Sequence, residues 1–276
     1  MDTKEIAMTV DVELWSKRKD YYKDIKYATP VLLDVSDTVP LSLFVSLSPK
    51  FSVIPFEEYI SLLGDFIDEV KKERNISVHL HQHAKWLPIN LDTSSDDLSE
   101  YTHEELHQLL SYGKEFFSSE FNVRVKYFRP GGFKIPDLGT YYDVLKKLHL
   151  NSSMGGEYDK IVTTASRFGV TEVPVPIVSK LSLLKYPFRT IKTLAFIENL
   201  SISQLTSALG SVLSTSERAT LAIGAHSFLF YPDLRSAYIL LHNLLDVPSG
   251  RLYSTYAKKL ILVASNLSTY YKLVLL

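Results

Sequence analysis

Two spacings of apolar residues run along this chain. Short apolar runs at Ile6–Val12 and Val39–Leu47 read as strands, as do Ile76–His83 and the alternating Val123–Phe128. Between them the spacing changes to three and four. After Pro55, residues Tyr59, Leu62, Leu63, Phe66 and Val70 share one helical face, with acids early and lysines late to match the helix dipole. Thr102-His103-Glu104-Glu105 has the spacing of a capping box and opens a second long helix. Asp137–Leu148 and Ser201–Leu213 read as further helices, and Thr171–Pro176 and Ala219–Gly224 as short strands. Residues 16–40 are polar and irregular, and Asn151–Asp159 is a loop. Residues 179–196 are basic and apolar without clean periodicity, which favours a packed loop over a lid on an anionic substrate or a membrane-surface patch. Asp233–Leu245 and Tyr256–Leu276 read as helix, turn and a final apolar segment. Strands joined through crossover helices build a parallel sheet, so the fold class is α/β.

Composition narrows the class. A chain of 276 residues suits one domain of the α/β barrel size, spanning 1–276. With 46% hydrophobic and 22% charged residues it can bury a core. Thirty basic against thirty-one acidic residues supply no global field for nucleic acid or an anionic membrane. There are no cysteines, which excludes disulfides and thiolate metal sites. Any metal must use His, Asp or Glu. The opening MDTKEIAMTVDVELW lacks the basic stretch and long apolar run of a secretory signal, and no stretch reaches the roughly 18 apolar residues of a membrane span. A cytoplasmic location is the expectation.

The chemistry concentrates at strand ends. Three of the eight histidines, His79, His81 and His83, fall within five residues. On a strand such positions share one face, and His79 and His83 can converge on one point as imidazole ligands of a divalent ion. Asp11 and Glu13 close the first strand on one face. Arg129-Pro130-Gly131-Gly132 places an arginine before a tight turn, where it can fix and acidify a carboxylate through a bidentate contact. His226 caps a later strand. His103-Glu104-Glu105-Leu106-His107 matches the HExxH pattern of zinc proteases, but it lies in a capped first turn without an evident third ligand, where surface histidines are the commoner explanation.

The order D-x-E, H-x-x-x-H, R-P-G-G and H-S-F resembles the polysaccharide deacetylase family, also called the NodB-homology or carbohydrate esterase family 4 group, and within it the WalW-like branch. The resembling pieces are TVDVELW at Thr9–Trp15, HLHQHAKW at His79–Trp86, YFRPGGF at Tyr127–Phe133, EVPVP at Glu172–Pro176 and HSFLF at His226–Phe230. The resemblance implies a distorted (β/α)7 barrel and a metal-dependent hydrolase that removes acetyl groups from N-acetylated sugars, with zinc the usual metal and cobalt or nickel as alternatives. It implies His79 and His83 as metal histidines, with His81 pointing elsewhere or supporting the site, Arg129 orienting the base, and His226 as general acid. The family's adjacent aspartates are here separated by Val12. The preferred division makes Asp11 the base and Glu13 the metal carboxylate, and the reverse stays open. Trp86, Tyr127, Phe133 and Phe228 flank the motifs and suit the apolar face of a sugar ring, although simple packing is the commoner role.

The partner so implied is an N-acetylated sugar or glycan. A hydrolase of a non-sugar amide or other C–N bond, and an inactive glycan-binding barrel, are the alternatives.

Overall fold

The structure is a computed structural model that describes residues 4–13, 22–48, 54–83, 85, 87–93, 95–182, 189–197, 200–201, 203–205, 207, 209–210, 220–227 and 249–276. Five strands follow one another through helices: β1 (Glu5–Val12), α1 (Tyr22–Ser36), β2 (Leu41–Ser46), α2 (Phe56–Val70), β3 (Ile76–Gln82), α3 (His103–Phe121), β4 (Tyr127–Pro130), α4 (Leu138–Lys147) and β5 (Asn151–Ser152). Next come β6 (Gly155–Gly156), α5 (Tyr158–Phe168), β7 (Val175–Ser182), β8 (Arg189–Leu194), β9 (Thr220–His226), α6 (Ser249–Ser268) and β10 (Lys272–Leu273).

The main sheet is parallel throughout. β1 lies between β9 and β2, and β3, β4 and β5 follow in order, while β10 pairs with the first residues of β1. Beyond β5 the backbone of 171–175 continues the curl. Ser152 N–H donates to the Thr171 carbonyl, Val173 N–H to Ser152, and Ala222 N–H of β9 to Pro174. The curl therefore passes from β5 through this segment back to β9, giving the distorted barrel that the family resemblance implied.

Alternation along the strands separates two environments. Leu80 on β3 packs against Gly113 of α3, where an added Cβ would lie 2.9 Å from the leucine. Thr9, Asp11, His79, His81 and Arg129 are buried polar residues at alternate strand positions, and they bond to one another's strands. The interior of the curl is thus polar, while its outer side joins the helices in one apolar core.

Three segments differ from expectation. Residues 22–36 of the supposedly irregular stretch form α1 around an internal Pro30. Ile25, Ala28, Leu32 and Val35 supply its buried face, whereas Pro30 is exposed, so its ring meets solvent and only one helical hydrogen bond is forgone. Tyr158–Phe168 forms α5, which begins inside the Asn151–Asp159 stretch read as a loop and buries Ile161 and Ala165. Most of 179–196 is the antiparallel pair β7–β8, not a packed loop. The helix expected at Asp233–Leu245 lies outside the described residues, as do Trp86 and Phe228.

Candidate metal centre

The ends of β1, β3, β4 and β9 deliver the candidate residues to one end of the barrel. Parallel register sets their levels. Asp11 pairs with Phe44, and Phe44 with His79, so these three share a layer; His81 pairs with Ser46 and Arg129 one layer further on. Two residues on a strand rise about 6.6 Å. Glu13, two residues past Asp11, therefore reaches the level of His81 and not that of His79.

Glu13, His81 and His83 are all buried, and their nearest ligand atoms lie within 4.8 Å of one another. Glu13 Oε2 is 3.0 Å from His83 Nε2 and 3.7 Å from His81 Nε2. The His81 and His83 rings meet edge to face, centroids 5.0 Å apart. Each imidazole is oriented through its other nitrogen. His81 Nδ1 is 3.1 Å from the main-chain oxygen of Arg129, which can only accept, so Nδ1 donates there and Nε2 is the nitrogen turned towards Glu13. His83 Nδ1 is 3.1 Å from Asp96 Oδ2. Metal-binding histidines characteristically donate their second N–H in this way.

Charge is balanced inside the cluster. Burial alone would raise the pKa of Glu13, but the close approach of His81 and His83 outweighs it and holds the carboxyl well below its usual range. Burial likewise works to lower His83, and Asp96 and Glu13 reverse it, raising the imidazole to about 9. Without a metal His83 is therefore the cation between two carboxylates. Although 3.0 Å from Glu13 Oε2, its Nε2 has no hydrogen-bond geometry to any acceptor among the described residues, so the two atoms abut as ligands of one site do. Two imidazoles and a carboxylate fit a divalent ion of zinc's preferences.

His79 does not join this group. Its Nε2 is 3.0 Å from the Leu276 carbonyl and 3.1 Å from Ser77 Oγ, and its ring lies between Phe44 and Tyr127. Burial, with Lys126 and Arg129 nearby, lowers its pKa to about 3. It is a neutral residue of the barrel floor. The expected pair His79/His83 is replaced by His81/His83, because β3 ends at Gln82 and His83 leaves the strand at the level of His81.

Arg129 is fully buried, its guanidinium carbon 4.0 Å from the Phe44 ring centroid. Nη1 donates to Asp11 Oδ1 at 2.5 Å; Nη2 donates to Thr9 Oγ1 at 3.0 Å and Ser153 Oγ at 2.8 Å; Nε donates to the Ser153 carbonyl at 3.3 Å. The contact with Asp11 is single, not bidentate, since Thr9 and Ser153 take the other donors. His226 Nε2 lies 3.7 Å from Glu13 Oε1, and its ring stacks on Phe196 at 4.7 Å and 20°. Gly224 makes room for that stack, since a Cβ there would lie 2.5 Å from the Phe196 ring. Ser227 Oγ bonds the Glu13 main chain at 3.3 and 3.4 Å, tying the ends of β1 and β9. Phe133 packs against Phe196 in the same wall.

Asp96, Ser153 and Phe196 carried no sequence signal, each being one member of an unremarkable run; Ser227 stood beside His226. The HEELH segment stays apart from this group, with Leu106 in the core and both histidines half-buried. Glu105 completes the capping box with Thr102, and His103 pairs with Asp143 at 2.8 Å. Among the described residues, Glu13, His81 and His83 form the one group able to hold a metal.

No family model and no curated protein matches this chain. Solved structures do. A Mycobacterium smegmatis protein designated a polysaccharide deacetylase matches with a TM-score of 0.53 at 12% identity, covering 86% of this chain and 82% of that one. A mutant with restored activity of a carbohydrate esterase family 4 pseudoenzyme matches at 0.44 and 11%, covering 99% of this chain and 66% of the other. A peptidoglycan N-acetylglucosamine deacetylase matches at 0.45 and 14%, covering 99% and 86%. The parallel curl, with its candidate residues at one end, is the NodB-type fold of the polysaccharide deacetylases.

Proposed function

We propose that the protein is a metal-dependent hydrolase that removes N-acetyl groups from an amino sugar or polysaccharide precursor. The observation that carries this is the convergence of Glu13, His81 and His83 beside Asp11, Arg129 and His226, on a fold it shares with a polysaccharide deacetylase. Zinc suits the donor set, and cobalt and nickel share its preferences. A cytoplasmic location belongs to the same proposal, and with it a nucleotide-linked or lipid-linked precursor as substrate.

Glu13, His81 and His83 would hold the divalent ion, which would supply Lewis-acid polarisation of the acetyl carbonyl and bring the pKa of a water towards neutrality. Asp11 is the general base. Arg129 holds its carboxylate in one direction, and the bonds to Thr9 and Ser153 prevent the arginine from swinging away. His226 is the general acid that protonates the nitrogen as the C–N bond breaks. It suits that role because its side chain is 23% exposed at the barrel end whereas Glu13 is 4% exposed, and the Phe196 stack fixes its ring plane.

The test is acetate release from N-acetylated sugars and their oligomers by protein loaded with zinc or cobalt. Turnover that is lost in Asp11→Asn while metal is retained supports the proposal. Metal bound at one equivalent with no turnover on any acetylated sugar or other amide would overturn it in favour of a glycan-binding barrel. Turnover confined to non-sugar amides would move the substrate class and leave the chemistry.

A further inference from the structure

The two histidines of the candidate centre are held by different means. The acceptor for His81 is the backbone of Arg129, fixed by the β3–β4 pairing. The acceptor for His83 is the side chain of Asp96, thirteen residues away in a loop beyond the strand. We infer that Asp96 is a positioning residue that sets the metal affinity of the site by fixing the His83 ring, and that the loop between β3 and α3 is built to present it. This inference rests on the proposed metal centre.

The loop has the order such a role needs. Asp96 uses both carboxylate oxygens: Oδ2 accepts from His83 Nδ1 at 3.1 Å and Oδ1 from the main-chain N–H of Lys85 at 3.4 Å, folding the residues after β3 back onto the site. On either side the loop is tied down. Thr93 N–H donates to Glu105 Oε1 at 2.8 Å, so the capping glutamate of α3 also anchors the loop's approach. The Tyr101 hydroxyl donates to the Ser95 carbonyl at 2.7 Å, and Asp97 meets Lys134 at 2.5 Å, which joins the loop to the segment following β4. The His83 ring also abuts Gly131: a Cβ there would lie 2.6 to 2.8 Å from three of its ring atoms. His83 is thus seated against a glycine and steered by one carboxylate.

Removing such an outer carboxylate weakens metal binding typically ten- to a hundred-fold without removing a ligand. The full-length apoprotein is titrated with cobalt(II) against a competing chelator, following the visible absorption of the bound ion, for wild type, Asp96→Asn and Asp96→Ala. Thermal melting of each apoprotein runs alongside. Asp96→Asn keeps a neutral acceptor of the same shape and is expected to weaken cobalt binding about ten-fold; Asp96→Ala is expected to weaken it about a hundred-fold and to alter the absorption bands. The apoprotein melting temperature stays close to wild type in Asp96→Asn, which keeps an acceptor for the His83 N–H, and falls in Asp96→Ala, which leaves that buried N–H without one. Wild-type affinity and spectrum in both variants would overturn the role while leaving the metal centre intact, and so would a loss of affinity matched by a general loss of stability that Asp96→Asn shares. A wild-type protein that takes up no cobalt would overturn the metal centre and this role together.

Discussion

Arg129 donates to Asp11 from its guanidinium at 2.5 Å while its own main-chain carbonyl accepts from His81 at 3.1 Å. One residue therefore serves the proposed base through its side chain and the proposed metal ligand through its backbone. The two services are separable. Arg129→Met removes the first and leaves the second, so it is expected to lower deacetylation about a hundred-fold or more, the range of a mispositioned general base. It should also destabilise the fold by about 3–5 kcal/mol, since Asp11 becomes an unpaired buried charge. Metal content should stay near wild type. Urea unfolding, acetate release and elemental analysis on the same preparation check the three outcomes.

The three clustered histidines should behave differently. His81→Ala and His83→Ala each remove a ligand and are expected to leave purified protein without stoichiometric metal. His79→Ala is expected to retain metal and to lose stability instead, about 1–3 kcal/mol, because it removes the imidazole that bonds Ser77 and the Leu276 carbonyl in the barrel floor. Metal content of the three variants by elemental analysis decides it. Metal lost in His79→Ala and kept in His81→Ala would reverse the assignment.

Gly131 is constrained by space and not by its backbone angles, for it is Gly132 that holds a positive φ of 63°. Gly131→Ala drives a methyl into the His83 ring. The expected result is weaker cobalt binding and about 1–3 kcal/mol lost to overpacking. Gly132→Ala has open space around its Cβ and strain only from φ, so it should cost about 1 kcal/mol and leave the metal affinity alone. Comparing the pair by cobalt titration separates crowding of the site from strain in the turn.

Glu172 gives the fold a pH dependence away from the centre. Burial raises its pKa from 4.5 to about 7, against lowering by Ser152, Met154 N–H and Tyr142. The folded state therefore binds this proton more tightly than the unfolded chain does. Its stabilising contribution is complete below pH about 4.5 and is lost as pH rises through about 7, amounting to about 3 kcal/mol. Glu172→Gln keeps a neutral amide there and removes the dependence. The difference in melting temperature, variant minus wild type, should grow between pH 5 and pH 8; a constant difference would contradict the raised pKa.

How much of this was legible beforehand follows from which information is local. The strands at Ile6–Val12, Val39–Leu47 and Ile76–His83 and the capped helix at Thr102 could be read because periodicity and capping are properties of adjacent residues, and so could the gathering of Asp11, Glu13, Arg129 and His226 at strand ends. Pro30 concealed α1, because a proline is a local signal and the apolar face that overrides it is satisfied only by burial in the common core. The helix α5 and the β7–β8 pair were likewise decided by partners distant in sequence.

Sequence alone determined which chemistry is available: imidazoles, carboxylates and an arginine at the ends of parallel strands, with no thiol. Tertiary structure decided which of them meet. His79, His81 and His83 are equivalent in spacing, and only the register of β3 against β2 and β4 sets His79 level with Phe44 and His81 level with Arg129. The C-terminal segment then occupies His79 through Leu276, 197 residues away, and Asp96 folds back onto His83. A residue's partner across a barrel depends on strand register and loop closure, which are set by packing over the whole chain, and no local pattern encodes it.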